Sequence, residues 1–362
     1  MPITPSKVKV RTYLSPTLVL LAFDWPDGGS RSDFLGFAIL RSPGFRGQRE
    51  SWLPNPIGFN GPARNGDELP SNRNPIQKFL WWDARIDDKD RGKTFAYTVT
   101  PVVMQSGRPV LLSDCRTSVR IRLPQPVEDS VGSYFNRAVV SSQAFARQFP
   151  GKLNNGRLKK ALTWLANGME KAFTGFLSGR DKIEGAFYHL NAEHWLLPHL
   201  EGRDGTSLVH NHTTKDPLSE KMQERLDPPV ELKPRTKASI MHNKFLVKLR
   251  NGRPASVLTG SANFTTGGLT TQANVVHTFD SPELARLYLE RKKLLEGNPS
   301  IPKTAGQARW SRRITVGDAS IRVFFPPEPK GRRASLDEVV RAVRRAKSSV
   351  AFCLFMPTDK EL

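Results

Sequence analysis

Short apolar or alternating runs dominate the first third of the chain. They recur between clusters rich in Gly, Pro, Asn and Asp, and include LVLLAFDW (18–25), LGFAILRS (35–42) and TFAYTVTPVVM (94–104). An alternation with a period of two indicates half-buried strands, and the polar clusters between the runs are typical of turns. Residues 1–124 are therefore predicted to form a β-sandwich of about six or seven short strands.

The period of the apolar pattern changes after a polar segment, residues 125–133, which we predict to be a linker. In residues 156–173 the apolar positions recur at every third or fourth residue, which is typical of one face of a helix. KIEGAFYHLN (182–191) then predicts a buried strand, and NAEHWLLPHL (191–200) predicts the start of another helix. Alternating helices and strands indicate an α/β layer structure, which we assign to residues 134–300.

The order of helix and strand returns near the end of the chain. Ser335 and Glu338 have the spacing of a capping box ahead of an apolar stripe. The strand predicted after this helix, FCLFMPTD (352–359), aligns with FYHLNAE (187–193) of the first copy. We interpret residues 334–362 as the start of a second, incomplete lobe, joined by a basic linker over residues 301–333 that carries one strand, SIRVFF.

Net charge and cysteine content restrict the class of protein. The formal net charge is +21, from 55 Lys and Arg against 34 Asp and Glu, which favours nucleic acid, an anionic membrane surface or a phosphate-bearing substrate as partner. The N-terminus has no signal-peptide pattern, and no apolar run is long enough for a membrane span. Cys115 and Cys353 lie far apart and outside any zinc-binding spacing. A soluble, cytoplasmic protein without metal or cofactor is the resulting prediction.

The segment IMHNKFLV (240–247) places a histidine and a lysine, His242 and Lys244, two positions apart within an apolar run. Positions i and i+2 share one face of a strand, so the two polar side chains are expected to project together. Met241, Phe245 and Val247 are expected to face the core. A lysine ammonium inside such a strand needs a polar or anionic partner.

A second polar pair follows in LTGSANFT (258–265), where Ser261 and Asn263 are predicted to share a face after Gly260. An ammonium neutralises one phosphate oxygen, and hydroxyl and amide groups hydrogen-bond the others. A neutral imidazole can attack phosphorus or donate a proton near pH 7. We therefore predict a phosphate site in which His242 and Lys244 are catalytic, while Ser261 and Asn263 bind the phosphate.

HNKFLV and TGSANFT, together with the following glycine turn, Asn-Val strand and amphipathic helix, resemble the phospholipase D superfamily over residues 131–300. The resemblance implies two α/β lobes with a mixed central sheet, each lobe supplying one His and one Lys. It implies that His242 is the nucleophile, through a phosphohistidine, or the acid/base partner, and that no metal is required. The second His-Lys pair would then come from a longer chain or from a homodimer.

Two positions depart from the pattern of that family. The Asp expected five residues after the motif lysine is replaced by Leu249, and the Glu that several members carry before the Asn-Val strand is replaced by Ala273. Both acids would orient or polarise the site. The side chains considered as substitutes for them are Gln272, Asn274 and Asp280.

The other histidines are predicted to have no catalytic role. His189, His194 and His199 are expected to be structural or exposed, and His210 and His212 to lie in a surface loop that could rim the pocket. The His-x-His spacing lacks a third nearby ligand, so it does not predict a metal site.

Three functions remain open at this point. The first is a phospholipase D-type phosphodiesterase acting on phospholipid, which we favour slightly, and the second is a metal-independent nuclease acting on DNA or RNA. The third is a basic binding protein with a degenerate active site. The N-terminal β-sandwich, which resembles a fibronectin type III domain in its strand pattern, would tether any of them to a partner or surface.

Overall fold

The computed structural model describes residues 5–58, 61–62, 68–140, 142–350, 352, 354–356 and 358–362. The chain forms two compact units. The first unit comprises the described residues of Met1–Glu128 and Arg137–Gly168, and the second comprises those of Asp129–Asn136 and Met169–Leu362.

The first unit is built mainly of antiparallel strands. They are β1 (Lys9–Ser15), β2 (Leu18–Asp24), β3 (Phe34–Ser42), β4 (Ser51–Trp52), β5 (Pro54–Asn55), β6 (Ile57–Gly58), β7 (Gly61–Pro62), β8 (Leu69–Pro70), β9 (Leu80–Asp83), β10 (Thr94–Gln105), β11 (Arg108–Leu111), β12 (Thr117–Arg122) and β13 (Val127–Glu128). Short 3₁₀ helices span Pro26–Ser30, Asp88–Asp90 and Ser113–Cys115, and two α-helices follow, α1 (Gln143–Gln148) and α2 (Asn155–Ala166).

Two sheets enclose the core of this unit. One has the strand order β1-β2-β9 and the other β11-β10-β3-β4, with β12 also paired to β10. The alternating residues Val19, Leu21 and Phe23 of β2 are buried in the shared core, as the period-two pattern predicts. The strands expected in the three quoted runs are present as β2, β3 and β10, and the likeness to a fibronectin type III domain remains a prediction.

Helices α1 and α2 belong to the first unit, although the sequence assigned residues from 134 onwards to the α/β lobe. The Arg137 guanidinium holds this helical segment, because its Nε donates to the Trp164 carbonyl oxygen at 3.0 Å and its Nη2 to Asp87 at 3.1 Å. Arg91 in turn donates to the Asn167 carbonyl oxygen. Hydrogen bonds from arginine side chains leave no trace in the hydrophobic pattern of a sequence. The predicted boundary at residue 134 therefore differs from the boundary in the structure.

The second unit contains the mixed sheet. Its strands are β14 (Val131–Phe135), β15 (Lys182–Phe187), β16 (Thr206–Asn211), β17 (Glu231–Arg235), β18 (Lys244–Arg250), β19 (Arg253–Gly260), β20 (Val275–Phe279), β21 (Ile314–Val316) and β22 (Ala319–Ile321). Its helices are α3 (Met169–Phe176), α4 (Leu197–Leu200), α5 (Pro217–Leu226), α6 (Thr266–Thr270), α7 (Pro282–Glu296), α8 (Ile301–Ala305) and α9 (Ala334–Arg345).

In the second unit the strands follow the order β14-β20-β19-β18-β15-β16-β17. Strand β15 runs parallel to β16, and β16 to β17, while β15 is antiparallel to β18. Leu284 and Leu289 of α7 pack on one face against Phe245 and Val247. This confirms the predicted α/β class with a mixed central sheet.

Three predicted elements have different bounds in the structure. The single helix expected over 156–173 is divided, because Asn167 and Gly168 adopt the left-handed conformation with φ of 51° and 88°. Part of the predicted linker 125–133 forms β14, which pairs with β20. The strand expected in SIRVFF ends at Ile321.

The C-terminal prediction of a second lobe is not supported beyond its helix. Helix α9 begins at Ala334, and Ser335 donates to Glu328 Oε2 at 2.6 Å, so the capping box with Glu338 is wrong. Glu338 instead accepts from Arg341 at 2.6 Å. The described residues of 347–362 form no strand, and Ala351, Cys353 and Pro357 lie outside the described residues.

Within the described part of the chain, every helix is too short or too polar to cross a bilayer.

Candidate active site

One edge of the mixed sheet collects the polar residues of both motifs. Phe187 at the end of β15 pairs with Lys244 at the start of β18 and with His210 near the end of β16. Phe245 pairs with Thr259, one residue before β19 ends. Strand order and direction therefore bring together segments that are distant in sequence.

Lys244 is the first residue of β18, and only 8% of its surface is exposed to solvent. Its Nζ donates to the His242 carbonyl oxygen at 2.8 Å and lies 5.6 Å from the centroid of the Tyr188 ring. Among the described residues, no carboxylate forms an ion pair with it. Burial of the ammonium lowers the pKa of Lys244 to about 8.

His242 lies two residues before the start of β18 at Lys244, so the prediction that it belongs to the strand is wrong. The residue is accessible to solvent, and its ring contacts the Tyr188 ring edge to face, with centroids 4.7 Å apart. Partial burial, then the charge of Lys244 and then His189 lower the pKa of His242 below its usual value. The imidazole is thus neutral and accessible near pH 7, and it lies beside the same tyrosine ring as the ammonium.

Met241, Phe245 and Val247 are buried together in the core on the α7 side of the sheet, as predicted. This apolar anchoring holds the strand that carries Lys244.

Gly260, at the end of β19, allows the Ser261–Asn263 loop to leave the sheet. A Cβ at Gly260 would lie 2.2 Å from the Val275 carbonyl oxygen, so no side chain fits there. Ser261 Oγ donates to Asn274 Oδ1 at 2.8 Å and accepts from the Val275 amide at 3.1 Å. Asn263 Oδ1 is buried and has no hydrogen-bond partner among the described residues. Ser261 therefore orders the loop, while Asn263 keeps an unused polar group.

The substitutes considered for the two missing acids do not reach His242. Gln272 is exposed; its backbone oxygen accepts from Asn136 Nδ2 at 2.6 Å, and its backbone N–H donates to the Gly267 carbonyl oxygen at 3.0 Å. Asp280 follows β20 at the opposite edge of the sheet, where it accepts from Ser256 at 2.9 Å. Asn274 bonds to Ser261, and no described residue hydrogen-bonds to the His242 ring.

Leu249, which stands at the position of the motif aspartate, is buried at the far end of β18 opposite Lys182. Ala273 is exposed. Neither position offers a polar group to the site.

A histidine–aspartate pair, His189 and Asp216, is the main feature that the sequence interpretation missed. His189 follows the end of β15, and its Nδ1 lies 2.8 Å from Asp216 Oδ2. Ser219 also donates to Asp216, at 2.7 Å. Burial opposes ionisation of Asp216, but hydrogen bonds from Ser219 and His189 outweigh it and lower the pKa of the carboxyl.

Tyr188 connects this pair to the motif residues. Its ring centroid lies 3.9 Å from that of His189 and 4.7 Å from that of His242. A signal for His189 does exist in the sequence, since residues after the carboxyl ends of parallel strands often line functional sites. It becomes usable only once β15 is known to be parallel to its neighbour.

His210 also differs from its prediction as a loop residue. It lies inside β16, is 8% exposed and stacks on Phe187 with centroids 6.0 Å apart. Burial lowers the pKa of His210. It lines a small cavity together with His189, His212 and Asp216. In the described part of the chain, no group of three or more His, Cys, Asp or Glu side chains has a metal-binding arrangement.

Comparison with known proteins gives partial structural likenesses. No family model and no curated protein matches the chain. The phospholipase D family member Nuc from Salmonella typhimurium is similar with a TM-score of 0.32 and 20% identity, over 37% of this chain and 89% of its own. NucT from Helicobacter pylori gives 0.31 and 14%, over 36% and 88%. Polyphosphate kinase from Porphyromonas gingivalis gives 0.30 and 14%, over 46% and 28%.

Proposed function

We propose that this chain is a phosphodiester hydrolase whose active site is the edge of the mixed sheet around His242 and Lys244. The observation that carries the proposal is the buried ammonium of Lys244, whose hydrogen-bond partner is a backbone carbonyl. Burying a charged group without a counter-ion costs roughly several kcal/mol of desolvation free energy, and an anion that binds beside the group offsets this cost. The phosphate of a diester supplies such an anion, next to a neutral imidazole.

In the first step, the unprotonated ring nitrogen of His242 attacks phosphorus, and the bond from phosphorus to the leaving oxygen breaks. Lys244 stabilises the charge that develops on a non-bridging oxygen, and the Asn263 Nδ2 group, a donor, remains the predicted second phosphate contact. The product of this step is a phosphohistidine and an alcohol. Ser261 contributes by holding the loop through Asn274 rather than by a free hydroxyl.

The leaving oxygen needs a proton, and we assign its donation to His189. Its Nδ1 faces Asp216, which leaves Nε2 to carry the exchangeable proton. In the second step, His189 takes a proton from the water that attacks the phosphohistidine, which releases a phosphate monoester and restores His242. The resemblance implies instead that a histidine from a second lobe or subunit performs this role, and a His189→Gln variant separates the two.

Phospholipid and nucleic acid are the two substrate classes to be tested. We expect turnover of bis(p-nitrophenyl) phosphate to persist in EDTA, because the two catalytic groups are an imidazole and an ammonium. Radiolabelled phosphatidylcholine vesicles and plasmid DNA, assayed side by side in EDTA, identify the natural diester. Loss of all turnover in EDTA would show that the mechanism needs a metal ion. Absence of turnover with every substrate, with and without added divalent cations, would leave a basic binding protein.

The pH dependence of kcat/KM for bis(p-nitrophenyl) phosphate, whose leaving group needs no proton from His189, should be bell-shaped. Activity rises with pH through the pKa of His242, which is below its usual value near 6.5, because the protonated ring cannot attack. Activity falls as pH rises through about 8, because Lys244 then loses the charge that binds phosphate. We expect Lys244→Arg to move the alkaline limb upward, since a guanidinium stays protonated.

Lys248→Arg, on the same strand, is the matched control for this profile and should leave the alkaline limb near its original position. An alkaline limb that stays near 8 in Lys244→Arg would show that another group titrates there.

A further inference from the structure

A cavity of about 450 Å³ opens in the first unit, between the loop that follows β3, the segment between β9 and β10, and helices α1 and α2. Its described lining carries seven Lys or Arg side chains against three Asp or Glu. Cavities of this volume are of the size that holds a nucleotide-sized ligand. The excess of cations indicates that such a ligand is anionic.

Arg41 forms the floor of the cavity and is fixed by four contacts. Its Nη1 donates to Asp83 at 2.9 Å and to the Arg85 carbonyl oxygen at 3.0 Å. Its Nε and Nη2 donate to the carbonyl oxygens of Pro43 at 3.0 Å and Gly44 at 3.1 Å. The buried guanidinium therefore shapes the loop after β3 instead of being available to a ligand.

Two further guanidinium groups line the cavity and lie over aromatic rings, and one of them, Arg137, also pairs with Asp87 at 3.1 Å. The Cζ atom of Arg85 lies 4.6 Å from the centroid of Phe45, and that of Arg137 lies 4.5 Å from Trp164. Stacking of this kind orients the guanidinium edge and reduces the entropy lost when it binds an anion. Arg85 also pairs with Glu68 at 2.8 Å.

Two cations at the rim have no ion-pair partner in the described part of the chain. Arg46 and Lys89 are exposed and form no ion pair with the described residues. Lys93 is 3.9 Å from Asp90, at the limit of an ion pair. Arg46 adopts φ of 52°, an uncommon conformation for a side-chain-bearing residue, at the tip of the loop. The loop thus presents a cation at some conformational cost.

We propose that this cavity, which we call the basic cavity, binds a single strand of nucleic acid through its phosphate backbone. Arg46 and Lys89, which form no ion pair with the described residues, lie on two separate loops, and this favours a ligand with more than one phosphate. Oriented guanidinium groups suit phosphate oxygens. The rim residues Arg46, Gly47, Gln48 and Lys89 carry no protruding apolar side chain, which a membrane-binding site needs. The proposal is independent of the proposed catalysis.

The test uses the full chain carrying His242→Ala, so that the probe is not cleaved. The probe is a short fluorescein-labelled oligodeoxythymidylate, followed by anisotropy over a series of salt concentrations. We expect Arg46→Glu/Lys89→Glu to weaken binding by roughly ten-fold or more and to lower the salt slope by about 0.7 for each lost phosphate contact.

Lys9→Glu/Arg11→Glu is the matched control, because both residues are exposed on β1 and the change in net charge is identical. It should retain the affinity and salt slope of the parent, and circular dichroism melts verify that both variants fold. If both double variants weaken oligonucleotide binding equally, the change in net charge alone accounts for the effect, and the proposal is overturned.

Two further arms identify the ligand. Thymidine monophosphate and inorganic phosphate should displace the oligonucleotide only at far higher concentration than an unlabelled oligonucleotide does. Displacement by thymidine monophosphate at equal concentration would overturn the assignment to a strand. Binding to phosphatidylglycerol vesicles that disappears in Arg46→Glu/Lys89→Glu, with oligonucleotide binding unchanged, would assign the cavity to lipid and overturn the proposal.

Discussion

Replacement of His242 by alanine is expected to lower kcat/KM for a phosphodiester by roughly 10⁴-fold or more, because the variant has no nucleophile to form the covalent intermediate. The ring is accessible and contacts Tyr188 rather than the apolar core, so its removal leaves no large cavity. We therefore expect a folded, inactive protein with an unchanged melting temperature.

Trapping the covalent intermediate identifies the residue that acts as the nucleophile. Acid-labile label from a radiolabelled diester, quenched during turnover, should be found on the peptide that contains His242 and should be absent in His242→Ala. His194→Ala, at an exposed histidine, is the control and should retain both turnover and labelling. Turnover by His242→Ala at the parental rate would remove the basis of the proposed function.

His189→Gln should separate substrates by their leaving group. We expect the rate with an alkyl leaving group to fall by about 10² to 10⁴, since the alkoxide needs a proton as it departs. A p-nitrophenolate leaves as a stable anion, so the first step should be nearly unchanged for a p-nitrophenyl diester. The second step also uses His189, and the variant should therefore release a burst of p-nitrophenolate and accumulate the phosphohistidine.

Asp216→Asn should give a smaller loss with the same dependence on the leaving group, because it disturbs the orientation of His189 without removing the ring. A purely structural effect would slow both substrates equally. Unchanged turnover of the alkyl diester by His189→Gln, while His242→Ala remains inactive, would leave the proposed function intact. It would assign the proton transfer to a histidine of another lobe or subunit.

The part of the candidate site that lies within one short segment was predictable from local pattern. Polar residues two apart in an apolar run suggested His242 and Lys244 as site residues, and the apolar residues Met241, Phe245 and Val247 indicated the buried face beside them. The predicted strand started too early in the chain, because β18 begins only at Lys244 and does not include His242. Strand ends depend on the neighbouring strand, which is not local information.

The substitutes for the missing acids could not be chosen from the sequence. Asn274 and Asp280 are six residues apart on either side of β20, yet one reaches the loop of Ser261 and the other lies at the opposite edge of the sheet. Strand β20 has five residues, and its extended backbone places its two ends at opposite ends of the sheet.

The sequence by itself determined the strands β2, β3 and β10, the buried faces of β2 and β18 and the positions of the two polar pairs, because these depend on residues a few positions apart. Only the tertiary structure decided that Lys244 is buried without a carboxylate and that His189 pairs with Asp216, 27 residues away. It also decided that seven Lys and Arg side chains among the described residues of the first unit line one cavity. Such contacts depend on strand order and direction, which place residues together across a sheet without any periodic trace in the chain.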